Sequence, residues 1–529
     1  MKSKFLRIWL DFKLDPKDNI FNKMYEHLLI FMNNIYPILT CEESAALEMQ
    51  LLEHNDTKIW NAMNAVGKSA AKAILEDFKE IGTIPLNPNI LVLLGTGHNA
   101  GDAILTAAEI LQQLPQAKIQ LLFALEQEKI KPLTQKALAS LPNYKTISLE
   151  QILIEKFDIS LDGILGMSFH LPIKEPLLSL INAINKHPSI RLRASIDIPS
   201  GLTLKADFSY ATGTAKAPLF DNKNREIVGR IRFLDIGFFE KRYEGEHTSK
   251  EFLLEKGVLS PLKKLRDVEA DKRKYGHLFI LSGSKNYPGA LMMCVKSAIK
   301  SGIGLITVFA PESLVPSFAS EAPEAIWVPF PETASGSLAL SGKNIFLERL
   351  PRGTALLSGP GIGEDPETLQ LISEIVETCG LPILLDANAL MPQIFAHVKR
   401  RPLHFGAVIA TPHLGEFERI SEKKSLIDWN IESHVITLLK GSISKIAYEG
   451  KIYNSTYGGP VLARGGSGDI LSGLVGGLLA QTPLDPFGAL SKALVWYGMS
   501  ADALARTRGQ VAVRTTDLCD YFSAILHNY

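Results

Sequence analysis

The sequence predicts an α/β protein: a doubly wound domain of about 200 residues followed by a second α/β series. Three observations predict it. Apolar runs such as NILVLL (89–94) and HLFIL (277–281) are continuous rather than alternating, the pattern of strands covered on both faces of a parallel sheet. Many of these runs end in glycine-rich turns that hand over to helical patterns, which gives a βαβ rhythm. A chain of 529 residues is also too long for one ordinary domain.

Residues 1–40 carry no motif and read as an N-terminal extension. Arg7 and Asp11 interrupt its apolar stretch, so no secretory leader is expected, and Leu28–Leu39 is too short and too polar to span a bilayer. From Cys41 a helical pattern runs through Ala45, Leu47, Leu51, Ile59, Met63, Val66 and Ala70. Strand NILVLL, helix AILTAAEILQQL and strand KIQLLFAL follow, then strands in ISLDGILGM, IRLRASIDIPSG and GRIRFLDIG. Between Phe238 and Lys274 the chain becomes polar and charged, which marks a boundary. The first domain is therefore expected over 41–245 and the second over 250–529. The second series runs GHLFILSGS, helix ALMMCVKSAIKSG, LITVFAP, ALLSGPGIG, PILLDANAL, GAVIATPHLGE and VITLLKGS.

Lys+Arg and Asp+Glu both number 56, so no basic excess suggests a nucleic-acid partner. Mean hydropathy is +0.09, as for a well-packed globular enzyme. The four cysteines (Cys41, Cys294, Cys379 and Cys519) are far apart and form no C-x-x-C pair, so reduced thiols in the cytoplasm are expected. No membrane partner is expected, and a homo-oligomer is.

In an open parallel sheet the carboxyl ends of the strands share one edge, where ligands bind. Three polar strand ends of the first half converge there: GTGHNAGD (95–102), Asp162 with the loop that follows, and IDIPSG (196–201). One aspartate after a strand is usually a helix cap, whereas three such clusters on one edge point to a site. GTGHNAGD, LDGILGMSFHLP, SIDIPSG and TGTAKAP resemble, in order and spacing, the NAD(P)HX epimerase domain, the Rossmann-like, three-layer YjeF N-terminal family. That family interconverts the R and S forms of hydrated NADH and NADPH. The resemblance implies that His98, Asn99, Ala100, Gly101 and Asp102, with Gly166, Met167, Ser168, Phe169, His170, Leu171 and Pro172, cradle the substrate. It implies a potassium ion held by Asn99, Asp162 and Ser200, with Asp197 as the acid/base residue and Lys216 near the substrate. The family's loop is N-N-G-G-D. Here His98 and Ala100 depart from it, and Ala100 adds a Cβ where backbone freedom is expected to matter.

In the second half, GGSGDILSGLVGGLLAQ (465–481) places one carboxylate, Asp469, between a glycine turn and an apolar helix. A helix cap explains the acid but not the glycines before it. Glycines running into a helix present N–H groups to an anion, and a carboxylate beside that anion can take a proton from a substrate hydroxyl. G-S-G-D at a helix start resembles the ribokinase-like superfamily. YGHLFILSGSKNYPGAL, LSGPGIG, LLDANAL, ATPHLGEF and LKGS resemble its NAD(P)HX dehydratase family over about Leu253 to Tyr529. This implies substrate contacts from Ala290, Gly361, Gly363 and His413, and Asp469 as the catalytic base. It also implies adenine-nucleotide contacts from Lys440, Gly441, Ser442, Ile443, Ser444 and Gly468. ADP or ATP is the implied co-substrate, with magnesium as its companion ion. Asn388, Leu414 and Asp271 depart from the family's usual residues, and are expected to tune binding.

Two readings follow. In the first, one half epimerises hydrated NADH or NADPH and the other dehydrates the S form at the expense of ADP or ATP. In the second, the C-terminal half is a small-molecule kinase and the N-terminal half a nucleotide-binding module without catalysis. The ATPHLGEF and LKGS pair and the partner domain favour the first.

Overall fold

A computed structural model describes residues 34–167, 169, 171–239 and 249–528. Most of the expected extension, together with Ser168, His170 and the stretch around Tyr243, lies outside the described residues. The end of that extension is a strand, β1 (Ile35–Leu39).

Thr40 opens α1 (Cys41–Leu52) with a reciprocal cap: its hydroxyl accepts from Glu43 N, and the Glu43 carboxylate accepts from Thr40 N. The helical pattern expected to continue to Ala70 breaks after this helix. Glu53 and His54 take left-handed φ of 51° and 52°, and the Asn55 side chain caps Thr57 and Lys58 to launch α2 (Asp56–Phe78). An asparagine side chain that competes for backbone donors is what ends one helix and starts the next.

The first sheet then builds from β2 (Asn89–Leu94), α3 (His98–Gln113), β3 (Lys118–Phe123), β4 (Tyr144–Thr146), β5 (Phe157–Gly163), β6 (Ile190–Ile196), β7 (Phe208–Thr212) and β9 (Arg230–Leu234), while β8 (Ala215–Lys216), between β7 and β9 in the chain, joins the second sheet. Its order is β4-β3-β2-β5-β6-β7-β9, and every pairing is parallel. The continuous run of β2 serves two cores: Ile90, Val92 and Leu94 face the cluster that includes α2 and α3, and Leu91 and Leu93 face the opposite one.

The second sheet uses β10 (Glu251–Leu254), β11 (His277–Leu281), α4 (Pro288–Lys300), β12 (Leu305–Pro311), β13 (Ile326–Phe330), β14 (Ala355–Ser358), β15 (Ile383–Leu385), β16 (Val408–Ala410), α5 (Leu414–Ser421), β17 (Ile436–Leu439), β18 (Ser444–Tyr448), β19 (Lys451–Ser455), α6 (Ser467–Gln481) and α7 (Pro486–Arg508). Its order is β13-β12-β11-β14-β15-β16-β17-β18-β19-β10-β1-β8. The strands from β13 to β17 are parallel, and a β18–β19 hairpin with a tight Glu449–Gly450 turn extends them. Beyond it, β1 lies antiparallel to β10 and parallel to β8, so the sheet of the C-terminal half ends inside the N-terminal half.

A buried charge network closes the junction. Arg232 bridges Asp77 and Asp502, each at 2.9 Å, Arg230 bridges Glu80 at 2.5 Å and Asp502 at 2.6 Å, and Arg506 reaches Asp77 at 2.8 Å. The two β9 arginines also lie over the Phe208 ring.

Candidate active sites

In the first sheet β2 and β5 are neighbours whose chain connections leave in opposite directions, which makes their carboxyl ends the switch point of the fold. The turn after β2 passes so close to β5 that a Cβ on Gly95 would meet the Ile164 carbonyl oxygen at 1.9 Å. Asp162, 2% exposed, ends β5. Its carboxylate accepts from Ser200 Oγ at 2.5 Å and Ser200 N at 2.8 Å. Burial nevertheless pushes this carboxyl up. Asn99 donates from Nδ2 to the Leu165 carbonyl at 2.9 Å, and its Oδ1 is buried with no partner among the described residues.

Asp197 follows β6 with a φ of 70°, an uncommon conformation for a non-glycine residue, held by its N–H donating to Tyr210 O. It pairs with the fully buried Lys216 at 2.5 Å and accepts from Thr212 Oγ1 at 3.1 Å. Two further carboxyls share the Lys216–Asp197 field. Burial, opposed by Lys216 and reinforced by Asp197, raises Glu48 to about 7. Burial first, then Asp197 and Glu48, raises Asp102 well above the carboxylate range, and its Oδ1 has no partner among the described residues. Burial and Lys131 lower His98, so its imidazole is neutral at pH 7.

Gly166 packs on Asn99, Met167 and Phe169 lie against an apolar cluster, and Leu171 is 64% exposed at the rim with Pro172 beside it. Ala100 and Gly101 behave differently from the rest of their loop. Both sit in the first turn of α3, and the Ala100 methyl is 0% exposed inside the core. Its helical backbone needs no glycine freedom.

The second site also forms on one sheet edge. The turn after β14 carries Gly361 and Gly363 at φ of 69° and 75°, and Gly361 lies against Ala290 in the first turn of α4. After β15, Asp386 is 1% exposed and accepts from Lys440 Nζ at 2.8 Å and Ser472 Oγ at 2.6 Å. After β16, His413 caps α5, with Nδ1 accepting from Gly415 and Glu416 N–H groups, and the Glu416 carboxylate accepting from His413 N. His413 and Lys440 are bridged across the sheet edge, where Lys440 N donates to Pro412 O.

Helix α6 begins at Gly466, with a φ of 87° and no side chain to cap the helix. The first N–H groups of the helix are thus left to a ligand. Tyr497 Oη donates to Ser467 O, and Arg464 holds the turn through the carbonyls of Gln510, Val511 and Val513. Asp469 sits in that first turn. Burial, then Asp386, raises its carboxyl to about 6, while Lys440 opposes the rise. Its side chain makes no hydrogen bond among the described residues, so it is not the cap that a lone acid at a helix start usually is. Gly468 lies against Lys440 Nζ and Asp386. Lys440, Gly441, Ser442 and Ile443 form the turn between β17 and β18 and wall a cavity of about 400 Å³, and Ser444 opens β18.

Residues 278–524 match the family described as NAD(P)H-hydrate dehydratase, and residues 61–218 match YjeF-related protein N-terminus. The bifunctional NAD(P)H-hydrate repair enzyme Nnr of Gloeobacter violaceus is 30% identical over 469 residues, 84% of this chain and 89% of that protein. Its counterpart from Moorella thermoacetica is 29% identical over 476 residues, 84% of this chain and 88% of that protein. The chain belongs to the bifunctional NAD(P)H-hydrate repair enzyme family. Among solved structures, a Bacillus subtilis ADP/ATP-dependent NAD(P)H-hydrate dehydratase co-crystallised with ATP/Mg²⁺ is 26% identical, covering 50% of this chain and 93% of that one at a TM-score of 0.42. An Enterococcus faecalis ribokinase-like superfamily protein is 23% identical, covering 54% and 99% at a TM-score of 0.47.

As in that family, the epimerase-type half precedes the dehydratase-type half. Several residues of these two sites escape a reading of strand ends. Glu48 lies on α1, remote in sequence from every motif, and only the pairing of β1 with β8 brings its helix to Lys216. Asp386 stands inside the quoted DANAL stretch, and its place after a strand was a usable signal.

Proposed function

We infer that this chain repairs hydrated NADH and NADPH, interconverting the R and S forms in its N-terminal half and dehydrating the S form in its C-terminal half at the expense of ADP or ATP. The observation that carries the reading is Asp469: a half-buried carboxyl raised to about 6, set beside the Asp386–Lys440 pair at an uncapped helix start. A base titrating just below neutrality is suited to taking a proton from a substrate hydroxyl at physiological pH.

Hydroxide is a poor leaving group, and the arrangement overcomes this by phosphoryl transfer. Asp469 takes the hydroxyl proton, the hydroxyl oxygen attacks the terminal phosphorus of the nucleotide, and the ester oxygen then departs with the phosphate. The ring double bond re-forms as the neighbouring carbon loses its proton. The balance is hydrate plus ATP giving reduced nucleotide, ADP and inorganic phosphate, or AMP where ADP is used. The α6 N–H groups and Lys440 face the developing phosphate charge, with magnesium as the nucleotide's companion ion. Ala290, Gly361, Gly363 and His413 lie on the same sheet edge for the nicotinamide nucleotide, and Lys440–Ser444 with Gly468 for the adenine nucleotide.

In the N-terminal half Asp197 takes the proton of the hydroxyl, and the ring carbon–nitrogen bond opens to leave an aldehyde while the nitrogen takes up a proton. Re-closure on the other face restores the hydroxyl with inverted configuration, and Lys216 fixes the Asp197 carboxylate. The loops 98–102 and 166–172 hold the substrate. Asn99, Asp162 and Ser200 fit a potassium ion: the unpartnered Asn99 Oδ1 and the buried Asp162 carboxylate are hard oxygen donors short of positive charge. Bound there, the ion supplies a fixed positive charge that steadies the turn at Ser200. A cytoplasmic setting suits the four cysteines, all free thiols; no helix among the described residues is long and apolar enough to cross a membrane.

The test supplies enzymatically prepared R and S hydrates with ADP or ATP and follows the return of reduced-nicotinamide absorbance. Asp469→Asn loses dehydration by on the order of 10²–10⁴. Asp197→Ala still dehydrates the S form but uses the R form only as fast as it converts spontaneously. Wild-type rates from either variant would overturn the assignment of that site.

A further inference from the structure

The cavity beside Lys440–Ile443 is not walled by the C-terminal half alone. Asn222 and Arg225, from the turns between β8 and β9, form part of its lining. Arg225 is half-buried, and its Nη1 is enclosed with no hydrogen-bond partner among the described residues. No carboxylate among the described residues pairs with the Arg225 guanidinium, which leaves its charge for an anion bound in the cavity.

The composition of the wall says what kind. Arg225 and Lys445 bring positive charge, Lys440 brings a cation paired with Asp386 behind the wall, and no carboxylate lines the cavity. Leu414, Leu426 and Ile427 make an apolar wall on which a flat base can lie. A phosphate-bearing aromatic molecule meets both demands.

The turn that carries Arg225 is also held against the loop it faces. Ile443 leaves its own half and packs in a cluster with Leu219, Phe220 and Val228 of the other half. Asn224 Nδ2 donates to the Pro218 carbonyl at 2.8 Å and steadies the chain just before Arg225.

We propose that Arg225, from the N-terminal half, binds the phosphates of the adenine nucleotide in the C-terminal site, so that this site is completed only across the junction. The proposal rests on the reading of Lys440–Ser444 as the nucleotide loop. It makes Arg225 a binding residue of the dehydratase reaction that neither half on its own would contain together with the loop. Bidentate contact by a planar guanidinium to phosphate oxygens is strong and specific, and lysine reproduces only its charge.

The experiment titrates the full-length chain with ADP and with adenosine by calorimetry. The proteins compared are wild type, Arg225→Ala, Arg225→Lys and the control Lys223→Ala. Lys223 is 75% exposed, pairs with Asp221 and lies outside the cavity wall. ADP binding is expected to weaken at least about tenfold in Arg225→Ala and less in Arg225→Lys, as loss of a charge-assisted contact requires. Lys223→Ala binds ADP as wild type does, and adenosine binds all four proteins alike. Raising salt weakens ADP binding to wild type more than to Arg225→Ala. Equal ADP affinity in Arg225→Ala and wild type, or an equal loss of adenosine and ADP binding, overturns the role of Arg225. Absence of ADP binding in wild type itself would overturn the nucleotide reading of the loop.

Discussion

Replacing Asp386 by Asn tests the electrostatics of the dehydration site without touching the base. Asp386 is 1% exposed, pairs with Lys440 at 2.8 Å, and is the cause, after burial, that raises Asp469 to about 6. Removing its charge acts twice in one direction. The like charge that raised Asp469 disappears, and Lys440, freed from its partner, favours the ionised form more strongly. The acid limb of kcat/KM for dehydration therefore moves to lower pH, within the interval between about 6 and the ordinary carboxyl value of 3.8. With the limb at about 6, roughly a tenth of the wild-type enzyme holds Asp469 as a base at pH 5. A limb lowered to about 5 would put roughly half there, so activity at pH 5 relative to each protein's plateau rises severalfold. The absolute plateau falls, because Lys440 loses the carboxylate that positions it. The assay is a pH series of S-hydrate dehydration at subsaturating substrate and saturating ADP. An acid limb that stays in place, or moves up, would refute the coupling of Asp386 to Asp469.

Glu48, raised by burial to about 7, gives epimerisation its own signature if it acts as an acid: R-to-S conversion by the wild type declines as pH rises through about 7, and Glu48→Gln removes that limb, which a coupled assay with excess dehydratase reads directly. Ala100→Gly restores one residue of the family's usual loop but loosens a buried helical turn; it lowers stability by about 0.5–1 kcal/mol in thermal denaturation and leaves the epimerisation rate nearly unchanged. Arg232→Met takes one arginine each from Asp77 and Asp502, both nearly inaccessible and left with Arg506 and Arg230 respectively, at a cost of about 1–3 kcal/mol. Calorimetry should show a clear drop in melting temperature, and an unchanged melt would mean that the network contributes nothing to stability.

How much of this was legible follows from which physical signals are local. Continuous apolar runs announced β2, β11, β12 and β14, because a strand buried on both faces leaves few polar positions to confuse the pattern. The glycine turns announced the strand ends that carry Asp162 and Asp197 and the helix start that carries Asp469. The short edge strands left weaker traces: β10 is four residues long and β8 only two. The β18–β19 hairpin had a signal in SKIAYEGKIYNS, alternation around a Glu-Gly turn, that the glycine-rich loop beside it overshadowed. Ala100 misleads in the other direction, since a family comparison weighs its missing flexibility while the fold uses its methyl as packing. Glu48, Arg225 and the Arg230–Arg232 network depend on chain segments that meet only in three dimensions, and no spacing rule reaches them.

The placement of β1 between β10 and β8 sets an order of assembly. During synthesis β1 emerges long before β10, the strand with which it pairs antiparallel, and the whole seven-stranded sheet of the N-terminal half lies between them in the chain. Until residue 254 has left the ribosome, the edge of β1 that β10 will cover stays open, and unpaired strand edges are where chains join wrongly. The helix that carries Glu48 hangs directly from that strand, and β8 covers its other edge, so the N-terminal half can assemble both its sheet and its acid cluster while one edge of β1 still waits for the second half. Cutting the gene in the polar stretch near residue 245 would thus yield two fragments with matching open edges, and mixing them should let β10 seek β1 and rejoin what the cut divided.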